Sequence, residues 1–142
     1  MYAILVVDDC YVTMKMHSAV AGELCSHLKV FHFTDANDAI RELLKNNKKY
    51  EFKFAMIDIM MESMHGLLLA KKIREVNPNI AIIAVTGVDE SLISPDNLDL
   101  FDLWLPKPLT VDKYKYIFDR YFYRPDCIFR NVCGEDPHSK LS

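Results

Sequence analysis

The chain has 142 residues, of which 51% are hydrophobic and 26% are charged, and its formal net charge is −3. This size and composition are typical of one globular domain that can bury a core. Because Lys and Arg form no run or stripe, direct binding of nucleic acid is not expected. No apolar run approaches the roughly 20 residues of a membrane span, so no membrane segment is predicted.

The cysteines indicate neither a disulfide framework nor a zinc site. Cys10, Cys25, Cys127 and Cys133 form no CxxC pair, and the N-terminus lacks the charged-then-apolar layout of a signal peptide. We therefore expect free thiols and a cytoplasmic location. Cys10 is expected to be a packed thiol, with an oxidation sensor as the alternative.

The first half of the chain alternates apolar runs with helical periodicity, as a parallel α/β sheet does. Residues 3–7 form a nearly unbroken apolar run, typical of a strand covered on both faces. A helix is predicted next, because apolar residues recur three and four positions apart, namely Val12, Met16, Ala19, Val20 and Leu24. A strand at 29–33 leads to a helix capped by Asp35, with its apolar face at Ala36, Ala39, Ile40, Leu43 and Leu44.

The second half repeats this alternation. A strand at 54–57 precedes a helix marked by Leu69, Ile73 and Val76, which ends near Pro78. A strand at 80–85 is followed by a weakly patterned stretch, 89–99. There Pro95 suits the first turn of a helix capped by Ser94, so the fourth helix is expected to be short or broken.

The last predicted strand, 103–105, precedes a helix that begins after Thr110, with Val111, Tyr114, Ile117, Phe118, Tyr121 and Phe122 on one side. Five strands in alternation with five helices form a (βα)5 pattern. Residues 124–142 have no clear period and are interpreted as a C-terminal tail. Docking on the domain, binding of a partner or second copy, and disorder all remain open for this tail.

Polar residues stand where four of the predicted strands end. Asp8 and Asp9 follow the first strand, Asp58 the third, Thr86 the fourth and Lys107 the fifth. In an open parallel sheet, ligands bind outside the carboxyl ends of the strands. A single acid at such a position is usually a helix cap, and a single Lys is usually a solvated side chain. Their occurrence at successive strand ends favours a common site.

These residue types suit phosphoryl chemistry. Three clustered carboxylates repel one another unless a cation joins them, and oxygen ligands in that number suit Mg²⁺. A carboxylate can also act as a nucleophile and form an aspartyl phosphate. An ammonium group and a hydroxyl can then hold the phosphoryl oxygens.

The chain resembles the response-regulator receiver family through these motifs. The matching features are the acid pair Asp8-Asp9, Asp58 with Gly66 eight residues later, Thr86 at the end of the fourth strand, and Lys107-Pro108. The resemblance covers about residues 3–123, and we take 1–123 as the receiver domain. It implies a flavodoxin-like, doubly wound parallel sheet with strand order 2-1-3-4-5.

The resemblance also implies a role for each site residue. Asp58 would be the phosphoacceptor. Asp9, Asp58 and the backbone carbonyl of Met60 would bind Mg²⁺, with Asp8 acting through a water. Thr86, Gly87 and Lys107 would bind the phosphoryl group, and the bond to Pro108 is a candidate cis peptide. Thr86 and Trp104 would form the conformational switch.

The motifs depart from the family pattern at several positions. Glu62 replaces a usual proline, His65 replaces an acid, Gly87 stands where alanine is commoner, and Trp104 replaces a smaller aromatic residue. No departure removes a residue of the phosphoryl chemistry.

Two functional hypotheses follow. The first is a stand-alone receiver that accepts its phosphoryl group from a histidine kinase or a histidine phosphotransfer protein and then changes its binding surface for a downstream protein. We expect a monomer or weak dimer. The alternative is a pseudo-receiver that binds protein without phosphorylation. A true enzyme is not expected, because Met60 occupies the place of the acid/base carboxylate that a phosphatase of this chemistry needs.

Overall fold

The computed structural model describes residues 1–24, 28–61 and 65–122. The predicted tail, 124–142, lies outside these residues, as do Cys25 and Glu62. The elements are β1 (Tyr2–Val7), α1 (Tyr11–Leu24), β2 (Leu28–Phe33), α2 (Ala36–Asn46), β3 (Glu51–Ile57), α3 (Gly66–Val76), β4 (Ala81–Thr86), a 3-10 helix (Glu90–Leu92), α4 (Pro95–Leu98), β5 (Leu103–Pro106) and α5 (Val111–Tyr121).

The strands form one parallel sheet in the order β2-β1-β3-β4-β5, which confirms the predicted flavodoxin-like topology. The register aligns the ends of the central strands, since Val7 of β1 pairs with Ile57 of β3. The residues that follow β1 and β3 therefore leave the sheet side by side.

The predicted helix ends are also observed. Asp35 caps α2, its Oδ1 accepting hydrogen bonds from the backbone N–H groups of Asn37 and Asp38. Thr110 caps α5 by accepting from the Lys113 N–H. The fourth helix is a single turn with Pro95 at its start, as the weak pattern predicted, although the Ser94 side chain makes no capping hydrogen bond.

Alternate residues of each central strand enter two separate cores. Ile4 and Val6 of β1 face a cluster completed by residues of α5, such as Tyr114 and Phe118. Leu5 and Val7 face a cluster completed by residues of α2 and α3, such as Leu43 and Ile73. The sheet is thus buried on both faces, which explains the nearly continuous apolar runs in its central strands.

The apolar face predicted for α1 is wrong at three positions, whereas the predicted Val20 does pack against the core. Val12 is 76% exposed and Met16 is 44% exposed, and Ala19 is exposed as well. Among the α1 side chains whose burial is described, the buried ones are His17 and Ala21. Helix α1 is therefore rotated so that His17 packs against Tyr114 of α5, with ring centroids 5.4 Å apart. Leu44 of α2 and Val111 of α5, also predicted to be core residues, are exposed.

In the described part of the chain, no helix combines the length and apolar character needed to cross a membrane.

Burial of His17 leads to a prediction about acid stability. Burial is the main cause that lowers the pKa of His17 from 6.5 to about 4; the nearby Asp8 opposes this shift and Lys107 adds to it. Because the unfolded chain then binds more protons between these two values, stability should fall as pH drops from 6.5 towards 4. The loss attributable to His17 should be about 2 kcal/mol between about pH 7 and about pH 5.

Urea unfolding of the wild type and His17→Phe at both pH values tests this prediction. The variant should lose that part of the pH dependence, whereas His32→Gln, at an exposed position of β2, should keep it. An identical pH dependence in wild type and His17→Phe would show that His17 titrates normally in the folded state.

Candidate functional site at the carboxyl ends of the strands

Two buried carboxylates leave the sheet from its central strands. The Asp8 N–H donates to the Phe33 carbonyl at 3.1 Å, and the Asp58 N–H donates to the Val7 carbonyl at 2.9 Å. These bonds continue the strand ladders by one residue and fix both backbones at the sheet edge. Asp8 is 3% exposed and Asp58 is 7% exposed, whereas the neighbouring Asp9 is exposed.

The three acids converge as predicted. One carboxylate oxygen from each of Asp8, Asp9 and Asp58 lies within 4.8 Å of the other two. Like charges at this separation repel one another, and the repulsion is strongest where burial excludes water. The cluster therefore needs positive charge nearby.

Lys107 supplies part of that charge. Its Nζ lies 2.9 Å from Asp58 Oδ2 and 3.1 Å from Asp8 Oδ2. Burial acts to lower the pKa of the Lys107 ammonium, but the hydrogen bonds to Asp58 and Asp8 together with the negative charges of these acids outweigh burial and raise that pKa. The Lys107 N–H donates to the Thr86 carbonyl at 3.0 Å, and the Lys107–Pro108 peptide bond is cis.

Backbone donors hold the remaining oxygen of each buried acid. The Cys10 N–H donates to Asp8 Oδ1 at 2.9 Å, and the Met60 N–H donates to Asp58 Oδ1 at 3.2 Å. Each carboxylate is thus oriented by one backbone N–H group and by the Lys107 ammonium.

Cys10 is exposed, so the expectation of a packed thiol is wrong. It lies just past the end of β1, at the rim of the site, where its backbone and not its side chain makes the contact with Asp8. A hydrogen bond with Thr13 lowers the pKa of the thiol.

The donor set fits Mg²⁺. Three carboxylates and one ammonium carry a formal charge of −3 + 1 = −2, which a divalent cation balances. Mg²⁺ prefers oxygen ligands and keeps several waters, and the exposed Asp9 leaves one side of the cluster accessible to solvent. Asp8, Asp9 and Asp58 are therefore the side chains that could hold the ion, while coordination by the Met60 carbonyl remains a prediction.

The two predicted switch residues are joined through Val88. The Thr86 hydroxyl, which is buried, accepts from the Val88 N–H at 3.1 Å, and the Trp104 indole N–H donates to the Val88 carbonyl at 3.3 Å. Trp104 also packs edge-on against Phe101. Thr86, Val88 and Trp104 border a cavity of about 320 Å³ that Gly87 helps to line. The link through Val88 was not predicted from sequence because its backbone makes both contacts, and a backbone contact leaves no residue-type signal.

Gly66, part of the sequence motif, has a steric role at the site. A Cβ atom at this position would lie 2.5 Å from Ile59 Cα and 2.6 Å from the Asp58 carbonyl oxygen. The Gly66 N–H also donates to the Ile59 carbonyl at 2.7 Å. The start of α3 therefore lies directly against the backbone that carries Asp58, and only a residue without a side chain fits there without displacement.

Comparison with known proteins gives one consistent family. The model of the response regulator receiver domain matches residues 4–113. A transcriptional regulatory protein CpxR homolog from Haemophilus influenzae is 30% identical over 109 residues, a match that covers 76% of this chain and 44% of that protein. The chain therefore spans less than half the length of this relative.

Solved structures share the fold. A CheY-like response regulator receiver domain from Methylobacillus flagellatus superposes with a TM-score of 0.71 at 19% identity, covering 84% of this chain and 98% of that one. A two-component response regulator from Clostridium difficile gives 0.70 at 22% identity, with the same coverage of both chains.

The close approach at Gly66 predicts a large loss of stability on adding one methyl group. Gly66→Ala should lower the free energy of unfolding by about 1–3 kcal/mol, because backbone atoms must move. Gly22→Ala in α1 is the matched control: nothing lies within 4 Å of its added Cβ, so the better helix propensity of alanine should raise stability by about 0.5–1 kcal/mol. Chemical denaturation measures both. Equal stabilities of the two variants would rule out a steric constraint at Gly66.

The charge of the acidic cluster predicts opposite effects of Asp9→Asn with and without metal. Without metal, the substitution removes one of three repelling charges and should raise the melting temperature. Added Mg²⁺ should stabilise the wild type but not this variant, which has lost a ligand. Thermal unfolding with Asp99→Asn as an exposed control tests this. If Mg²⁺ raises the melting temperatures of wild type and Asp9→Asn alike, the ion binds elsewhere.

Proposed function

This chain belongs to the response regulator receiver family of two-component signalling, and on that basis we propose that it is a switch that accepts a phosphoryl group on Asp58. Receiver domains take phosphoryl groups from histidine kinases, act on downstream partners and generally bind Mg²⁺ at an acidic pocket. Whether this chain does so at Asp58 is the substance of the proposal.

One observation carries the assignment of Asp58. Among the three clustered acids, Asp8 and Asp58 both contact Lys107, and Asp58 has the shorter of the two contacts, 2.9 Å from the ammonium. Asp58 also follows β3, the middle strand of the five. A nucleophile at this position lies next to the Lys107 ammonium and to the carboxylates of Asp8 and Asp9.

The transfer proposed for Asp58 balances as follows. A carboxylate oxygen of Asp58 attacks the phosphorus of a phosphohistidine, the phosphorus–nitrogen bond breaks, and the donor imidazole leaves and takes up a proton from solvent. The Lys107 ammonium remains charged and transfers a hydrogen bond from the carboxylate to a phosphoryl oxygen. Mg²⁺, when bound, supplies charge neutralisation for the phosphoryl oxygens. Asp8 and Asp9 help to hold that ion.

The same geometry supports a switch at Thr86 and Trp104. In the unphosphorylated protein the Thr86 oxygen accepts from Val88, so its own O–H group is able to donate to a phosphoryl oxygen. A rotation of Thr86 towards that oxygen breaks its bond to the Val88 N–H. Because the Val88 carbonyl holds the indole of Trp104, the release should reach Trp104 through one residue.

The output is proposed to be an altered protein-binding surface and not direct DNA contact, in keeping with the net charge of −3. The donor is a histidine kinase or a histidine phosphotransfer protein. We propose no enzymatic activity beyond self-phosphorylation from small donors and self-dephosphorylation. A pseudo-receiver that binds a partner without phosphorylation is the alternative, favoured by the unusual residues Glu62, Gly87 and Trp104.

Phosphorylation should be confined to Asp58. After incubation with Mg²⁺ and acetyl phosphate, the intact mass of the wild type should rise by one phosphoryl group, and that of Asp58→Asn should not change. Asp99→Asn, an exposed acid away from the cluster, should label like the wild type. Equal labelling of Asp58→Asn would sink the assignment, and no labelling of any protein would favour the pseudo-receiver.

Trp104 emission should report the switch, since Trp104 is the only tryptophan of the chain. Beryllofluoride with Mg²⁺ imitates the phosphoryl group without turnover. Its addition should change the emission of the wild type, leave Asp58→Ala unchanged and affect Thr86→Ala much less, because the link through Val88 begins at the Thr86 hydroxyl. If the wild type binds the mimic while its emission and Trp104 side-chain NMR shifts stay constant, the switch does not involve Trp104.

A further inference from the structure

A second cavity lies at the amino-terminal ends of the strands, at the opposite end of β3 from Asp58. Its volume is about 640 Å³, within the range of small-molecule sites. Glu51 and Lys53, at the start of β3, and Ala81, at the start of β4, form one side of it. This cavity lies at the amino-terminal ends of the parallel strands, whereas the phosphoacceptor site lies at their carboxyl ends. The two sites are therefore separate.

One wall is held in place by a chain of asparagine contacts. The Asn47 side-chain amide donates to the Val76 carbonyl at 3.3 Å, and the Asn77 amide donates to Asn47 Oδ1 at 3.0 Å. The Asn79 N–H in turn donates to Asn77 Oδ1 at 3.1 Å. These bonds join the turn after α2 to the turn after α3. The wall is therefore preformed, so a ligand would not have to order it on binding.

The cavity lining carries two cations, Lys53 and Arg120, and one carboxylate, Glu51. Arg120 donates to the Tyr116 hydroxyl at 2.9 Å, and its guanidinium carbon lies 5.6 Å from the centre of the Tyr121 ring. Lys53 Nζ lies 4.6 Å from the centre of the Tyr2 ring and 3.4 Å from Glu51. The side chains lining the cavity thus carry a formal charge of +2 − 1 = +1, which favours an anion.

The cavity also presents aromatic surface. Tyr50 is held by edge contacts with Phe31 and Phe52, at 5.1 and 6.4 Å between ring centroids. Tyr121 is held by its hydroxyl, which donates to the Asp102 carbonyl at 3.3 Å. Both rings line the cavity, and each has a contact with a residue outside it, Phe31 for Tyr50 and Asp102 for Tyr121. Fixed rings of this kind stack planar ligands at little entropic cost.

We propose that this cavity binds a small aromatic anion of mononucleotide size. Its planar ring would pack against Tyr50 or Tyr121, and its phosphate or carboxylate would bind Lys53 and Arg120. The rim amides of Asn77 and Asn79 would form hydrogen bonds with polar atoms on the ring. The proposal does not depend on phosphorylation of Asp58.

Titration of the full chain, followed by amide NMR shifts, tests the proposal with probes that separate its two parts. Adenosine monophosphate and phenyl phosphate carry both a ring and a phosphate, and benzoate carries a ring and a carboxylate. Adenosine carries the ring alone, and inorganic phosphate carries the anion alone. At least one ring-bearing anion should shift the amides of Lys53 and Asn79 saturably, at least about tenfold more tightly than either single-part probe. The probe that binds best distinguishes a nucleotide from an aromatic carboxylate.

Variants identify where the probe binds. Arg120→Gln should weaken binding about tenfold, whereas Lys45→Gln, the same change of charge at an exposed position of α2, should not. Asp58→Asn should bind as the wild type does. Absence of saturable shifts at millimolar concentrations of every ring-bearing anion overturns the proposal. So does equal weakening by Arg120→Gln and Lys45→Gln, or shifts confined to residues around Asp58.

Discussion

The ammonium of Lys107 lies between two buried carboxylates, and the geometry of the site depends on this contact. Lys107 follows β5, whereas Asp58 follows β3, so its side chain must cross the end of β4 to reach its partner. The backbone bond from Lys107 to the Thr86 carbonyl fixes the starting point of that reach. The position of the Lys107 ammonium therefore depends both on the strand order and on the backbone bond at the end of β4.

The contacts of Lys107 with Asp8 and Asp58 matter more for the charge of the site than for the stability of the fold. A buried pair gains in Coulomb energy about what it loses in desolvation, so the contact of Lys107 with Asp8 and Asp58 need not stabilise the fold. The cluster retains a formal charge of −2 after Lys107 is counted. The protein thus keeps a site whose charge is balanced only when a cation is added, and the repulsion within it is the physical basis for metal binding.

The sequence was sufficient for the strands, their alternation with helices and the convergence of Asp8, Asp9, Asp58 and Lys107, because unbroken apolar runs and residues at strand ends have direct structural meaning. It was not sufficient for α1. There Val12 and Met16 match a helical period yet face solvent, since the packing of His17 against Tyr114 decides the rotation of the helix. The contacts made by the Val88 backbone likewise depend on the folded geometry and leave little trace in residue type. The close approach at Gly66, by contrast, is reflected in the glycine of the sequence motif.

The sheet divides the hydrophobic interior into two cores, and this division affects how the protein unfolds locally. Each central strand contributes alternate side chains to two cores that do not share residues, so neither layer of helices can lose its packing without exposing one face of the same strands. The helices on one side can fray while the sheet is still covered on the other. Hydrogen exchange should accordingly be slowest in β1, β3 and β4, which are flanked by strands and covered on both faces. Local opening of either helical layer should leave the positions of Asp8 and Asp58 on the sheet intact.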